Sequence, residues 1–166
     1  MRNGSRRRLP EIVAAIAARK APDMNNIDRS LDMAANIKGA FAVAIVDFES
    51  GMTLGSRGGS PEFDLDVAAP GNSEVVRTKL EVMQKLGLRE NIEDILITLD
   101  TQYHLIRIIR GTDEQLFFYL VLNRAQANLA MARRDLRVIE QQFAMTSPQA
   151  GAPQPQGQAF FPAQQR

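Results

Sequence analysis

Seven consecutive apolar residues, Leu116–Leu122, form the run "LFFYLVL". A strand without polar side chains is covered on both faces, so it belongs in the middle of a sheet. The run therefore predicts a central strand in a sheet that carries a packed layer on each side.

Two hairpins supply four further predicted strands. "AFAVAIVD" and "GMTLGS" are joined at "ESG", where Ser50-Gly51 supplies the positive φ of a tight turn. "IEDILITLD" and "QYHLIRII" lie on either side of Asp100-Thr101, and Ile95, Ile97 and Leu99 alternate onto one face. The glycine-rich stretch "DFESGMTLGSRGGS" is interpreted as a hairpin and loop. Its first glycine lies between two strands, and no "GK[ST]" phosphate-loop motif is present.

Three stretches show apolar residues at helical spacing. "NNIDRSLDMAANIKG" is the first helix, with Asn26 as its predicted N-cap and Gly39 at its end. The second spans about Leu65–Leu86, or begins only at Ala69 because Pro70 is tolerated near a helix start. The third follows a capping box of Asn123 and Gln126. Its predicted apolar stripe consists of Ala125, Leu129, Ala132, Leu136, Ile139 and Phe143.

The second predicted helix has two contrasting faces. A wide apolar face is predicted from Val75, Val76, Leu80, Val82, Met83 and Leu86. A charged stripe lies opposite, formed by Glu74, Arg77, Thr78, Glu81 and Lys85. The order α-β-β-α-β-β-β-α, with hairpins joining neighbouring strands, predicts an α/β (α+β) fold. Its five-stranded, mostly antiparallel sheet would have one helix on one face and two on the other.

The 166 residues divide into three predicted segments: a basic arm (residues 1–23), one compact domain (24–145) and a Pro/Gln-rich tail (146–166). Residues 1–20 carry a net charge of +5 in a chain of net charge +1, so the remainder is mildly acidic. Within the arm, "LPEIVAAIAARK" can form a short helix that Pro22 stops. The arm is a frayed extension, a basic surface for a membrane or partner, or a loose likeness of an export signal. Arm and tail are both expected to be dispensable for folding.

Few residues suited to catalysis are present. The chain has no cysteine and one histidine, His104, which excludes the common zinc spacings and is interpreted as a sheet residue. Three acidic pairs, Asp64/Asp66, Glu93/Asp94 and Asp113/Glu114, fall in turns or at element ends. We therefore expect no enzyme activity, no cofactor and no metal. No run approaches the roughly 18 apolar residues of a membrane span, and a cytoplasmic location is expected. Nucleic acid is not an expected partner, because the basic "SRRR" lacks an aromatic stacking platform.

Three ordered stretches resemble the Roadblock/dynein-light-chain family, especially its bacterial, actinobacterial and MglB-like members. They are "NNIDRSLDMAANIKGAFAVAIVDFESGMTLG", "DVAAPGNSEVVR" and "EDILITLDTQYHLIR". The likeness covers residues 24–143 and departs from the family pattern at Pro70 and at Asp100. It implies a homodimer that pairs third strands edge to edge and lays second helices side by side. It also implies a non-enzymatic regulator of small Ras-like GTPases, or a scaffold with a sensor-kinase-like protein that leaves hydrolysis unchanged.

The resemblance also suggests interaction residues. A dimer interface is expected at Ala68, Ala69, Gly71, Glu93, Ile95 and Ile97. The charged stripe of the second helix is expected to dock the partner, although an ordinary solvated helix face is an equally weighted interpretation. Arg57, in the loop after the first hairpin, is the candidate for an arginine inserted into a partner's active site.

Overall fold

The computed structural model describes residues 23–113 and 115–146, and the predicted arm and tail fall almost wholly outside these ranges. The described residues form an α+β fold with the predicted order of elements. They are α1 (Met24–Ala35), β1 (Ala40–Asp47), β2 (Met52–Gly58), α2 (Leu65–Lys85), β3 (Asp94–Thr98), β4 (Gln102–Ile108), β5 (Leu116–Asn123) and α3 (Leu129–Thr146).

One sheet contains the five strands in the order β2-β1-β5-β4-β3. Every neighbouring pair is antiparallel. The central position of β5 is confirmed, and each of its residues from Leu116 to Leu122 is at most 1% exposed. The chain thus places its most apolar segment where both faces of the sheet are covered.

Two apolar clusters separate the layers. On one face, side chains of α1 and α3 pack with Val43, Phe118 and Leu120 of the sheet. On the other face, α2 packs with Ala44, Phe117 and other residues of opposite parity. The predicted arrangement of one helix against two is therefore confirmed.

The two hairpin turns also lie where the sequence predicts them. In the first, the Asp47 carboxylate accepts hydrogen bonds from the Glu49 and Ser50 amides, and Gly51 has a φ of 77°. In the second, the Leu99 amide donates to the Gln102 carbonyl at 2.9 Å, across Asp100-Thr101. The glycine-rich stretch around Gly51 therefore builds a hairpin.

Two predicted helix starts are wrong. The N-cap of α1 is Asp23, whose carboxylate accepts from the Asn25 amide at 3.0 Å. Asn26 lies inside the helix, where its buried amide group donates to the Phe143 carbonyl at 3.1 Å. The third helix begins at Leu129, because Asn123 caps only a turn and Asn128 accepts from the Met131 amide at 3.1 Å.

Helix α2 begins at Leu65, with Asp64 as N-cap, so the alternative start at Ala69 does not occur. Pro70 lies inside the helix without ending it. The buried face is narrower than predicted: Val76 and Met83 are buried, but Val75, Leu80, Val82 and Leu86 are exposed. In residues 23–113 and 115–146, no helix is long and apolar enough to cross a membrane.

Candidate interaction surface

One side of α2 carries apolar and small residues that the chain itself leaves wholly or partly exposed. Their spacing of three, four, seven and four residues keeps them on one side of the helix. This α2 flank consists of Ala68, Gly71, Val75, Val82 and Leu86. Val75 and Val82 are 38% and 40% exposed, and Leu86 is 68% exposed. A row of exposed apolar side chains on a helix is typical of a surface that binds another protein.

Gly71 fits that interpretation. It lies inside α2, where glycine destabilises a helix by roughly 0.5–1 kcal/mol relative to alanine. A methyl group at this position would meet no atom within 4 Å, and Gly71 does not have a positive φ. Neither the backbone conformation nor packing within the chain therefore requires glycine here, whereas close approach of a second helix would favour it.

Strand β3 lies at the edge of the sheet, hydrogen-bonded to β4 on one side. Ile95 and Ile97 are half-buried, and Ile95 packs against the same apolar cluster as α2. Because α2 lies over β1 and β2, it leaves the β3 side of this face less covered. The α2 flank and the β3 edge thus border one partly open half of the sheet.

The residues expected at a dimer interface differ in their exposure. Gly71 is exposed, and Ala68 is half-buried beside it. Ala69 is 0% exposed within its own chain, so it belongs to the core and is removed from the candidate surface. Glu93, just before β3, is exposed but is held by arginines of β4 and α3.

These arginines belong to a charge cluster that sequence periodicity did not reveal. Arg107 of β4 is 5% exposed and lies 3.4 Å from Glu140 of α3 and 3.6 Å from Asp94 of β3. Arg133 and Arg137 of α3 bind Asp94 and Glu93, respectively. Arg137 is the main cause of the lowered pKa of Glu93. Three arginines and three carboxylates therefore tie the edge strand to α3.

The charged stripe of α2 is less uniform than predicted. Arg77 forms an ion pair with Glu74, one turn earlier. Its guanidinium also donates to the Phe48 and Glu49 carbonyls of the first hairpin, at 2.9 and 3.1 Å. Arg77 is therefore half-buried and fastens α2 to the hairpin, which corrects the expectation that it points away from the core.

The remaining stripe residues Thr78, Glu81 and Lys85 are exposed. Lys85 Nζ lies 3.8 Å from Glu81 Oε2, with both side chains about two-thirds or more exposed. Such a pair contributes only a few tenths of a kcal/mol to the helix, roughly 0.3–0.5. These three side chains are consequently available to a partner at little cost to folding.

Arg57 does not present a free guanidinium. Its Nη2 and Nε atoms lie 2.8 Å from Asp28 and 2.8 Å from Asp32, both on α1. The hydrogen bonds to these carboxylates raise the pKa of Arg57. Arg57 therefore joins β2 to α1, on the sheet face opposite α2.

His104 lies in β4, as predicted, on the sheet face that α2 partly covers. Its Nε2 donates to Gln102 Oε1 at 3.0 Å, since that oxygen can only accept. Nδ1 then accepts from the Tyr119 hydroxyl at 2.7 Å. Burial lowers the pKa of His104 and raises that of Tyr119, so the neutral ring is favoured. Because both ring nitrogens have hydrogen-bond partners within the chain, we interpret His104 as a structural residue of the sheet.

No protein-family model and no curated protein matches this chain by sequence. Across the described ranges, no group of three or more His, Cys, Asp or Glu side chains could hold a metal ion.

Many solved structures share the fold, among them the following three. Myxococcus xanthus MglB aligns with a TM-score of 0.66 at 13% identity, over 76% of this chain and 90% of that chain. The gliding protein MglB of Thermus thermophilus gives 0.62 at 15% identity, over 76% and 90%. A Roadblock/LC7 domain from Streptomyces avermitilis gives 0.58 at 9% identity, over 74% and 94%. The resemblance seen in the sequence is thus confirmed as a likeness of fold, and the chain has the Roadblock/LC7 fold in an MglB-like form.

Proposed function

We propose that this protein is a non-enzymatic homodimer that binds a small Ras-like GTPase and modulates its GTP hydrolysis. The observation that carries the proposal is the continuity of the α2 flank with the β3 edge. Both border the same half-open face of the sheet. The flank exposes apolar side chains and the edge strand exposes backbone N–H and C=O groups, and a second copy could cover both.

A two-fold axis beside β3 would satisfy both features at once. Two copies of one strand related by such an axis pair antiparallel, which extends the sheet and removes its open edge. The same axis would bring two α2 flanks side by side over the joined sheet. Gly71 would then allow the helices to approach closely, and Val82 would be withdrawn from water.

The fold and the resemblance support the choice of partner. Two of the neighbours in fold are MglB proteins, and one of these is described as a gliding protein. The family that the sequence resembles acts with small Ras-like GTPases. In a dimer, the exposed side chains of Thr78, Glu81 and Lys85 would form a paired, charged platform on the outer side of the α2 layer.

The contacts of Arg57 argue against catalysis by an arginine inserted into the partner's active site. An inserted arginine can raise the rate of GTP hydrolysis by about 10³–10⁵-fold. Arg57 is bound to Asp28 and Asp32, so we propose that the dimer holds the partner's own switch loops in a competent geometry. The second candidate is a scaffold in a sensor-kinase-like complex that leaves hydrolysis unchanged, and the same contacts of Arg57 favour it too.

The test is a pull-down with the full chain, followed by binding and turnover assays with the recovered partner. We expect a protein with a "GxxxxGK[ST]" phosphate loop, which is the nucleotide-binding motif of such GTPases. The double exchange Glu81→Lys with Lys85→Glu keeps the local ion pair and the net charge. It should nevertheless weaken binding by about tenfold or more, because the charge pattern facing the partner is inverted.

Lys38→Glu is the control, since Lys38 is exposed in the turn after α1. Its binding should equal that of the unaltered protein. Arg77 is left unchanged, because its reversal would also remove two bonds to the hairpin. Unchanged turnover with intact binding would favour the scaffold, and equal binding by the double exchange would place the docking surface elsewhere.

A further inference from the structure

A groove runs between α1 and α3, on the side of the molecule opposite α2. Its larger part has a volume of about 540 Å³ and is lined by apolar Met33, Ile37, Val138 and Ile139 together with polar Asn36, Arg134 and Asp135. A smaller pocket of about 130 Å³ continues from Met33 towards Met145, and its other lining residues are polar: Asn26, Arg29, Ser30 and Gln142. Val138 is 44% exposed and Met145 is 83% exposed, so apolar side chains remain open along both parts.

The two helices that form this groove are antiparallel. The Asn26 side chain near the start of α1 donates to the Phe143 carbonyl near the end of α3. The larger part of the groove therefore lies towards the end of α1, and the smaller part lies beside its start, where Met24 is exposed. The chain that precedes α1 joins the domain at this same end.

The preceding chain contains a segment of the required character. In "LPEIVAAIAARK", residues 9–20, the large apolar residues Leu9, Ile12, Val13 and Ile16 recur at spacings of three, one and three. Such positions share one side of a helix, while Glu11, Ala14 and Ala18 lie on the other. Pro10 and Glu11 suit a first helical turn, and Arg19 and Lys20 suit a last one.

We propose that residues 9–20 form a helix that packs into the groove between α1 and α3, antiparallel to α1. Twelve helical residues span about 18 Å, and α1 also has 12 residues. Residues 21–23 would form the connection, a length usual for two antiparallel helices. Pro22 ends the first helix, and the extended Asp23, at φ −64° and ψ 111°, begins the second.

The connection decides between the possible occupants. A segment tethered by three residues has an effective concentration that a separate molecule rarely reaches. The tail, residues 147–166, also leaves the domain at this end, but its Phe160-Phe161 pair stands among Pro, Gln, Gly and Ala without helical periodicity. The arm therefore matches the groove in length, in apolar pattern and in point of attachment.

Engineered disulfides in the full chain test the proposal, since the natural chain contains no cysteine. The variant Ile12→Cys with Val138→Cys should form an intrachain disulfide under mild oxidation. Mass measurement and a non-reducing gel report it. The matched control is Ala14→Cys with Val138→Cys, which moves the thiol to the opposite side of the arm helix. It should cross-link at least about tenfold more slowly.

Three results would overturn the proposal. Equal rates for the two pairs would show that the arm has no fixed orientation. Interchain disulfides would assign the groove to a second copy, and faster cross-linking of Phe160→Cys with Val138→Cys would assign it to the tail. Circular dichroism of the reduced variants checks that each is folded, because Val138 is exposed and its replacement leaves the core intact. None of these readouts depends on a GTPase.

Discussion

His104 is the side chain whose protonation has the clearest consequence for stability. It is the single histidine, so no other imidazole titrates near pH 6. Burial lowers its pKa in the folded protein below the ordinary value of 6.5. The unfolded chain therefore takes up the proton first as the pH falls, and the folded state loses stability relative to it.

We expect the contribution of His104 to the free energy of unfolding to be fully present above about pH 6.5. It should decline as the pH falls through 6.5 towards the lowered pKa of the folded state. Replacement His104→Gln should remove this part of the pH dependence. Urea titrations between about pH 5 and pH 7.5 measure it, and parallel curves for the two proteins would contradict the assignment.

Arg57 and Arg77 show why the contacts of a long side chain could not be predicted from the sequence. Helical spacing places Arg77 away from the main apolar stripe of α2. It cannot reveal that the Phe48 carbonyl, 29 residues earlier, lies 2.9 Å from the guanidinium. Arg57 likewise reaches carboxylates 25 and 29 residues away. Long flexible side chains meet partners that only the packed elements bring close.

Helices and strands were more predictable than their ends. The unbroken apolar run of β5 and the residues of the hairpin turns are local signals in the sequence. The types and the order of these elements were therefore predictable. The predicted N-cap of α1 lies three residues too late, because the Asn26 side chain donates to the Phe143 carbonyl, 117 residues away, and does not cap the helix. A capping residue and a buried polar residue are the same letter in a sequence, and tertiary packing decides between them.

The cluster around Arg107 makes the position of β3 depend on α3. Glu140 is buried and accepts hydrogen bonds from Arg107 and from the Arg110 amide. Glu140→Gln should lower the free energy of unfolding by about 1–3 kcal/mol, since a buried guanidinium loses a charged partner. Adding Arg107→Met should recover part of that loss, because Asp94 and Glu93 still keep Arg133 and Arg137.

Glu81→Gln provides the comparison, because its ion pair with Lys85 is exposed. We expect it to change stability by less than about 0.5 kcal/mol. Denaturant unfolding of the four proteins gives the values. A loss in Glu140→Gln no larger than that in Glu81→Gln would show that the cluster does not stabilise the fold.

At the scale of the whole molecule, the α2 flank is the clearest candidate surface for self-association among residues 23–113 and 115–146. Val82→Asp should convert the proposed homodimer to a monomer, because a carboxylate would be buried without a partner at the centre of the contact. Light scattering at micromolar concentration should show the mass fall from two chains to one. Far-ultraviolet circular dichroism should remain unchanged.

Met52→Asp is the matched control, since Met52 is 62% exposed in the first hairpin, away from the flank. Its mass should stay that of two chains. A monomer in the unaltered protein, or a dimer in Val82→Asp, would rule out this interface. Since Ala69 is buried in the core, it is unsuitable for the same test.

The order of strands in the sheet has a consequence for synthesis on the ribosome. The central strand, β5, is made last of the five, after the strands of both hairpins. Until β5 is released, the chain outside the ribosome can form only two separate hairpins, and one strand edge of each lacks the same neighbour. The two halves can join only when β5 enters between them. Any delay between the release of the second hairpin from the ribosome and the release of β5 would therefore lengthen the time during which chaperones can bind those edges.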